Sequence, residues 1–318
     1  MVNARLLDEA REAALLRPDV AELALAHGEA LLSAGRLPEA IGELQRALRL
    51  DHEYADARLA LGRAWLAAGE PEKALQAFAR LRDVDEDVAR ARAMLARPRS
   101  DAGYVRHLFD QFAADYDARM ISQLGYAAPR ILRELADLVM AGRRGLDILD
   151  LGCGTGLTGV AFKDLARRLD GIDLSPVMIE KARARGIYDR LAVADIETAR
   201  EVAGYDLLLA ADTLVYLGDL TQIFAVAAQS LRRGGFFLFT VECKDGEGFA
   251  LGPKRRWRHS APYLRHEAAH AGFAVAGLVA CAPRAEAGRP VEGFAVALIS
   301  ASEREKHRAA PPASTSSA

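Results

Sequence analysis

The sequence has little that would place the chain in a membrane or outside the cell. Its 318 residues include three cysteines, Cys153, Cys243 and Cys281, which are scattered and odd in number. That pattern indicates neither a disulfide framework nor a thiolate metal site. The longest apolar run, FAVAGLVACA (273–282), is far too short to span a bilayer.

An excess of charge of one sign is also missing. The chain has 42 Lys and Arg against 44 Asp and Glu, which gives a net charge of −2. This balance gives no global attraction to nucleic acid or to an anionic membrane. The first twenty residues carry acids and bases throughout and lack the apolar core of a signal peptide. We therefore expect a cytoplasmic protein with no membrane or nucleic-acid partner, and the length predicts two domains.

What the amino-terminal third does contain is an internal repeat. Matching residues stand 34 positions apart: Gly28 and Gly62, Gly35 and Gly69, Ala40 and Ala74. This period resembles the tetratricopeptide repeat (TPR), a pair of antiparallel helices. We expect Leu44 and Phe78 to be the bulky partners of the small residues. Gly35 and Gly69 should end the first helix of each pair.

The linker ARPRSDAG (96–103) separates the repeats from the rest of the chain, because proline, serine and glycine interrupt the helical pattern. We expect an all-α, TPR-like domain over residues 1–98 and a second domain over 99–300. Residues 301–318, charged and then small and polar, should form a disordered tail. The repeats offer either a concave surface for a protein partner or a brace for the second domain, and the sequence leaves both open.

From Leu146 onward, short apolar runs alternate with helical stretches. This alternation predicts a mainly parallel sheet covered by helices on both faces. The last two runs, 273–281 and 291–300, are joined by too few residues for a helical crossover and should form an antiparallel hairpin. Ligands of such sheets bind at the carboxyl ends of the strands.

The first apolar run leads into a glycine-rich loop, LDILDLGCGTG (146–156). Gly154, Gly156 and Gly159 also satisfy the G-x-G-x-x-G pattern of dinucleotide-binding folds, so the loop alone is ambiguous. With Asp150 two residues before the first glycine and acids ending the next strands, residues 101–300 resemble the class I S-adenosylmethionine-dependent methyltransferases. The resemblance implies a Rossmann-like, doubly wound α/β sheet with a C-terminal antiparallel hairpin, and S-adenosylmethionine as cofactor.

The resemblance also implies which residues bind that cofactor. The glycines of the loop would let the backbone approach the methionine part, and Asp150 would accept from its ammonium group. Asp173 would bind the ribose hydroxyls, and Leu174 and Met178 would sandwich the purine ring. Asp195, after the third strand, would accept from the adenine amino group, and Ile196 could offer its backbone N–H. The full expected set in the sheet domain is Asp150, Gly152, Gly154, Gly156, Asp173, Leu174, Met178, Asp195, Ile196 and Asp212.

A nicotinamide dinucleotide is the competing ligand. Asp173 would suit its ribose equally well. Asp150, however, would face its pyrophosphate and repel it. The acid after the third strand and the terminal hairpin would have no role either, so the methyl donor is the preferred interpretation.

Residues 104–117, YVRHLFDQFAADYD, resemble the amino-terminal segment of small-molecule methyltransferases, which lies over the cofactor. We call them the lead-in segment. Tyr104, Phe109 and Tyr116 would close the pocket against water. The same residues also fit an amphipathic helix that packs on the sheet, and both interpretations can hold together.

Three residues are candidates for taking a proton from the methyl acceptor: His259, Asp212 and Tyr216. His259 lies in the basic run KRRWRHSAPYLR (254–265), which could bind an anionic acceptor or a nucleic-acid backbone, and it titrates near neutrality. The run also fits a solvated basic face, and the histidine also fits a purely structural role. The nearby HEAAH (266–270) has a zinc-protease spacing. It lacks the extended motif, because Phe273 and Ala276 stand where glycine and histidine would be, so no metal is expected.

The sequence therefore predicts an enzyme that transfers a methyl group from S-adenosylmethionine to an unidentified nucleophile by in-line displacement. The acceptor would be a small molecule or a protein. The alternative is a TPR interaction protein whose second domain binds the cofactor without turnover.

Overall fold

A computed structural model describes residues 2–96, 100–113, 115–199 and 203–300. The chain separates into two compact units, one ending at His107 and one beginning at Leu108. The boundary expected after residue 98 and the tail expected over 301–318 stay predictions, and the tail lies outside the described residues. Within the described ranges, no helix combines the length and the apolar character needed to cross a membrane.

The first unit is built from helices. They are α1 (Val2–Leu16), α2 (Ala21–Ser33), α3 (Leu37–Leu50), α4 (Ala55–Ala67), α5 (Pro71–Phe78), α6 (Asp85–Ala96) and the start of α7 (Ala102–Phe112). Helices α2 and α3 pack as one pair and α4 and α5 as the next, as the 34-residue period predicts.

Glycine sets the distance between the helices of each pair. A Cβ atom on Gly28 would lie 2.7 Å from Leu44 Cγ, and one on Gly62 would lie 2.2 Å from Phe78 Cε1. Neither contact is possible for a real side chain, so the two helices of each pair approach closely only because these positions are glycine. Gly35 and Gly69 follow the first helices with φ of +74° and +68°, the left-handed region that favours glycine.

The second unit is a sheet covered by helices. Its strands are β1 (Leu146–Leu151), β2 (Ala166–Asp173), β3 (Arg190–Val193), β4 (Tyr205–Ala210), β5 (Leu231–Cys243), β6 (Phe249–Leu251), β7 (Trp257–His259), β8 (Phe273–Cys281), β9 (Ala285–Glu286), β10 (Arg289–Pro290) and β11 (Gly293–Ser300). Its helices are α8 (Tyr116–Ala118, continued by the π-turn Arg119–Gln123), α9 (Ala128–Val139), α10 (Leu157–Phe162), α11 (Pro176–Ala184), α12 (Thr221–Ser230) and α13 (Ala261–His270).

The strand order is β3-β2-β1-β4-β5-β11-β8. Strands β1 to β5 pair in parallel, and β11 pairs antiparallel with both β5 and β8. Every residue of β1 is buried, as expected of a central strand covered on both faces. The Rossmann-like fold with a terminal antiparallel hairpin is therefore confirmed.

Two apolar clusters hold the helices to the sheet. Ile148 of β1 belongs to the cluster packed under α9 and α10, whereas its neighbour Leu149 belongs to the cluster under α12 and α13. Successive side chains of a strand point to opposite faces, so one strand contributes to both clusters. The sheet is thus fixed from both sides, and the loops at its carboxyl edge start from rigid strands.

Candidate functional site

Three of the predicted acids meet at the carboxyl edge of the sheet. Asp150 pairs in register with Gly171 of β2 and Leu209 of β4, Asp173 is the last residue of β2, and Asp212 follows β4 closely. The topology therefore brings together residues that are up to 62 positions apart in the sequence (150 to 212).

The glycine loop (152–156) connects β1 to α10, and its three glycines have φ of +70°, +53° and +95°. A Cβ on Gly152 would lie 2.5 Å from Thr213, and one on Gly156 would lie 3.0 Å from both Arg185 and Tyr188. A Cβ on Gly154 would meet nothing within 4 Å. Packing inside the protein thus also requires glycine at positions 152 and 156. The expected approach of the loop backbone to a ligand stays a prediction. Gly154 alone of the three faces open space.

Tyr188 lies beneath this loop and was not predicted as a site residue. Its hydroxyl donates to Asp150 Oδ2 at 2.7 Å, and glycines surround its ring. A Cβ on Gly159 would lie 2.3 Å from the hydroxyl, and one on Gly171 would lie 2.9 Å from the ring. The third glycine of the G-x-G-x-x-G pattern, Gly159, thus leaves room for the Tyr188 hydroxyl. The sequence carries no local signal that Tyr188 reaches the loop.

Asp150 is almost completely buried, with Tyr188 on one oxygen and the Gly159 N–H as a further donor. Burial raises the pKa of its carboxyl to about 7, and the nearby Asp173 carboxylate adds to the rise while Tyr188 opposes it. Asp150 therefore anchors the loop from below. Its expected contact with the cofactor ammonium stays a prediction.

Asp173 is held by backbone from both adjoining loops. Its Oδ2 accepts from Gly154 N at 2.9 Å and its Oδ1 accepts from Ser175 N at 2.8 Å. The Leu174 N–H is a further backbone donor. A carboxylate can accept about four hydrogen bonds, so Asp173 keeps room for a ligand hydroxyl group. Burial raises the pKa of Asp173, and the backbone donors oppose that rise.

The residues expected around the adenine are placed unequally. Leu174 is half-buried at the start of the turn after β2, whereas the Met178 side chain is fully buried. Met178 therefore packs in the interior in this structure, and its expected contact with a purine face stays a prediction. Ile196 is likewise buried in the sheet core, while Asp195 accepts from Glu197 N at 3.0 Å in a local turn.

The lead-in segment is tied to the site through its two aspartates. Asp110 Oδ1 accepts from the Ser175 hydroxyl, and Asp117 Oδ1 accepts from the Thr155 hydroxyl, each at 2.5 Å. Asp117 also forms an ion pair with Arg185, which bonds to the Thr155 carbonyl. The aspartates of the Phe-Asp and Tyr-Asp pairs thus fasten this segment to the glycine loop and to the turn after Asp173.

The aromatic residues of the segment divide between two places. Phe109 makes an edge-to-face contact with Tyr216, with ring centroids 5.6 Å apart, and a second with Tyr116 at 6.2 Å. Tyr104 instead belongs to the first unit and packs on Gly69, where a Cβ would lie 2.5 Å from Tyr104 Cβ. Its expected place over the cofactor stays a prediction.

A cavity of about 270 Å³ opens beside these rings, and we call it the acceptor cavity. Its walls are Leu108, Phe109, Tyr116, Arg119, Met120, Leu124, Asp212, Tyr216, Lys254, Arg256 and Glu286. Two of the three predicted proton acceptors, Asp212 and Tyr216, line it. Burial raises the pKa of the Tyr216 hydroxyl, and a hydrogen bond from the Arg256 guanidinium opposes that rise.

Behind the cavity lies an arginine that was not predicted. The Arg284 side chain has no exposed surface and forms ion pairs with Asp212 and Glu242, while its Nε lies 3.4 Å from Glu286. Asp212 also donates its backbone N–H to Thr240 Oγ1 at 2.9 Å. Burial raises the pKa of Asp212, while Arg284 and Arg256 oppose this rise. Arg284 is 72 residues from Asp212 in the sequence, so the pair becomes visible only in the folded structure.

His259 does not line the acceptor cavity. Its ring is fully buried, stacks on Tyr263 at 5.8 Å and has Nε2 3.0 Å from the Gly218 carbonyl. Burial lowers the pKa of the imidazole to about 4, so the ring is neutral at physiological pH. The expected role as proton acceptor needs correction, since His259 is the last residue of β7 and its ring packs against the turn after β4.

Comparison with known proteins agrees with this architecture. Residues 148–235 match a family described as methyltransferase domain, and residues 4–52 and 31–97 match two tetratricopeptide-repeat families. This chain carries a methyltransferase domain preceded by tetratricopeptide repeats. Both family resemblances found in the sequence are thereby confirmed.

Curated relatives share part of this region. The methyltransferase-like protein 27 of Homo sapiens is 35% identical over 98 residues, which is 30% of this chain and 40% of the relative. The malonyl-[acyl-carrier protein] O-methyltransferase of Acetivibrio thermocellus is 35% identical over 137 residues, 42% of this chain and 47% of the relative. A ubiquinone biosynthesis O-methyltransferase of Xanthomonas oryzae is 29% identical over 123 residues, 36% of this chain and 50% of the relative. The chain thus spans about half the length of the curated relatives it matches.

Solved structures share the fold. The magnesium protoporphyrin IX methyltransferase of Synechocystis PCC 6803 superposes with a TM-score of 0.50 at 16% identity, covering 64% of this chain and 98% of the other. The [4+2]-cyclase SpnF gives 0.53 at 18% identity, with 64% and 98% covered. One of these proteins is named a methyltransferase and the other a cyclase. The fold alone therefore does not determine the chemistry, which has to be inferred from the residues of the site.

Proposed function

We propose that this chain binds S-adenosylmethionine at the carboxyl edge of β1 and β2 and transfers its methyl group to an acceptor in the acceptor cavity. The observation that carries the proposal is the arrangement of Asp173. A carboxylate fixed by backbone donors, beside a glycine that faces open space, suits a ribose hydroxyl.

The positions of the other groups are consistent with this reaction. The sulfonium of the bound cofactor is already activated, so the protein mainly has to align the acceptor atom, the methyl carbon and the sulfur. Asp212 and Tyr216 lie between the cofactor edge and the acceptor cavity and are the residues suited to orient the acceptor. Two of the matched relatives are named O-methyltransferases, which favours an oxygen atom as the acceptor.

A binding measurement tests the cofactor assignment. Asp173→Ala removes hydrogen bonds to a charged group, which costs about 1.5–3 kcal/mol. That loss corresponds to a roughly 10- to 100-fold weaker affinity for S-adenosylhomocysteine in calorimetry. Asp164→Ala is the matched control, because Asp164 lies just before β2 and pairs with Arg133 on the surface. Equal affinities for the wild type and Asp173→Ala would contradict the assignment.

Turnover distinguishes an enzyme from an interaction protein that only holds the cofactor. The protein is incubated with methyl-labelled S-adenosylmethionine and an extract of the organism that encodes it. We expect label in small molecules or in protein. Cofactor binding without any transferred label would favour the interaction protein, in which the repeats carry the function.

A further inference from the structure

The acceptor cavity has more positive than negative charge on its walls. Counting the described residues only, the lining contains the cations Arg119, Lys254 and Arg256 and the carboxylates Asp212 and Glu286. Behind this lining, Arg284 and Glu242 add one charge of each sign. A positive wall in a partly enclosed cavity attracts an anion, since its field is screened less there than on an open surface.

The backbone around these charged residues is strained. Asp212, Lys254, Arg255 and Ala287 have φ between +48° and +58°, a region that residues with a side chain seldom adopt. Such conformations cost on the order of 1–3 kcal/mol each and persist where the surroundings fix them. All four positions either line the cavity or adjoin the lining residues Arg256 and Glu286, so the strain is concentrated around the cavity.

The carboxylates of the cavity are already bound to cations. Asp212 pairs with Arg284, and Glu286 accepts from Lys254 Nζ at 2.6 Å and from Arg256 Nη1 at 3.0 Å. Burial works to raise the pKa of Glu286, but Lys254, Arg256 and Arg284 together bring it below its ordinary value. Protonating either group would leave a cation uncompensated. Glu286 is therefore poorly suited to take a proton from an acceptor, and Asp212 can take one only by giving up its ion pair with Arg284.

We propose that the methyl acceptor is a small carboxylate, held in the cavity by the Arg256 guanidinium, and that the product is its methyl ester. This rests on the proposed function and names its substrate class. One carboxylate oxygen attacks the methyl carbon, the carbon–sulfur bond breaks, and its electron pair stays on sulfur. The negative carboxylate and the positive sulfonium both become neutral, and no proton moves.

This chemistry fits the cavity better than methylation of an amine or a phenol. A carboxyl group is ionised at neutral pH, whereas phenols and alkyl amines, with pKa values of about 10, enter the cavity protonated and need a base. A protonated amine would also be repelled by the cations. Arg256 has five N–H donors in a planar fork that matches a carboxylate. Glu286 accepts from Nη1 and the Tyr216 hydroxyl accepts a second bond, which leaves further N–H donors for a ligand. Phe109, Tyr116 and Tyr216 supply an apolar wall for the body of the acid.

The stability of the transferred label tests the proposal. Labelled S-adenosylmethionine is incubated with the protein and the extract, and the products are exposed to mild base. Methyl esters hydrolyse and release volatile labelled methanol, whereas methyl groups on nitrogen, carbon, sulfur or phenolic oxygen stay in place. We expect most of the label to be volatile after base. Base-stable label would overturn the carboxylate assignment and leave the proposed function intact. The absence of any transferred label would instead contradict the proposed function.

Two variants test the role of Arg256. Arg256→Gln should lower the base-labile transfer at least tenfold, through a higher KM for the acceptor, with the affinity for S-adenosylhomocysteine unchanged. Arg256→Lys should restore part of the activity. Arg258→Gln removes the same charge two residues away, where the guanidinium faces Glu242 rather than the cavity, and serves as the control. Equal transfer by the wild type and Arg256→Gln would overturn the role of Arg256.

Discussion

The hydrogen bond between Tyr188 and Asp150 gives a prediction that depends on pH. Tyr188→Phe removes one oxygen atom and leaves the ring among Gly156, Gly159 and Gly171. The change therefore deletes the 2.7 Å bond to the buried carboxyl with little change in packing. Its effect should depend on whether the Asp150 carboxyl is ionised.

The sign of the effect follows from the pKa of Asp150. Burial raises this pKa from 3.8 to about 7, so the folded chain holds the proton more tightly than the unfolded chain does. The contribution of Asp150 to stability is complete below about pH 3.8 and is lost as the pH rises through about 7. Tyr188 offsets part of that loss, because its donor favours the ionised form. A bond to a charged group contributes about 1.5–3 kcal/mol, against about 0.5–1.5 kcal/mol for a neutral pair.

Urea unfolding at pH 5.5 and at pH 8.5 measures this difference. The relevant transition is the one that added S-adenosylhomocysteine shifts, since the chain has two units. We expect Tyr188→Phe to lose about 0.5–1.5 kcal/mol at the lower pH and about 1.5–3 kcal/mol at the higher. Tyr205→Phe is the control for the loss of a buried tyrosine bond away from the glycine loop. It removes a 2.6 Å bond to Asp170, on the same strand as Asp173, and should leave cofactor affinity unchanged. Equal losses for Tyr188→Phe at both pH values would refute the reasoning.

Three further changes have clear expected outcomes. Gly62→Ala forces a Cβ to within 2.2 Å of Phe78 and should destabilise the repeats by about 1–3 kcal/mol in thermal unfolding, whereas Gly42→Ala, which meets nothing within 4 Å, should be neutral or stabilising. His259→Gln should lower the free energy of unfolding. The pH dependence of the methyl-transfer rate should keep its shape, because the wild-type ring is already neutral; loss of the rise or the fall in that pH profile would contradict this. Asp117→Asn should weaken cofactor binding about tenfold in calorimetry by loosening the lead-in segment, and an unchanged affinity would show that this contact is dispensable.

The sequence was sufficient for features that repeat locally or depend on strand order. The 34-residue period located the two helix pairs and the packing of Gly28 on Leu44. The alternation of apolar runs located the strands, and the acids that end them were correctly expected at one edge. These features follow from short-range patterns, which a single sequence displays.

Contacts between distant segments were not predictable in this way. Tyr188 reaches Asp150 from the connection after α11, and Arg284 reaches Asp212 from the turn before β9. Neither residue has a neighbouring motif, so only the folded arrangement reveals them. The sequence left His259 open either as a proton acceptor in a basic run or as a structural histidine. The backbone of β7 turns its ring inward against Tyr263.

The buried acids of the sheet edge give a last argument about the ligand. Burial raises the pKa of Asp150, Asp173 and Asp212, but only Asp212 has a full positive charge as a partner. The bonds to the other two come from a tyrosine hydroxyl and from backbone N–H groups, all of them neutral. A ligand with a cationic group placed there would stabilise the ionised carboxylates on binding, whereas the pyrophosphate of a dinucleotide would add negative charge beside them. The ammonium and sulfonium groups of S-adenosylmethionine meet this electrostatic requirement.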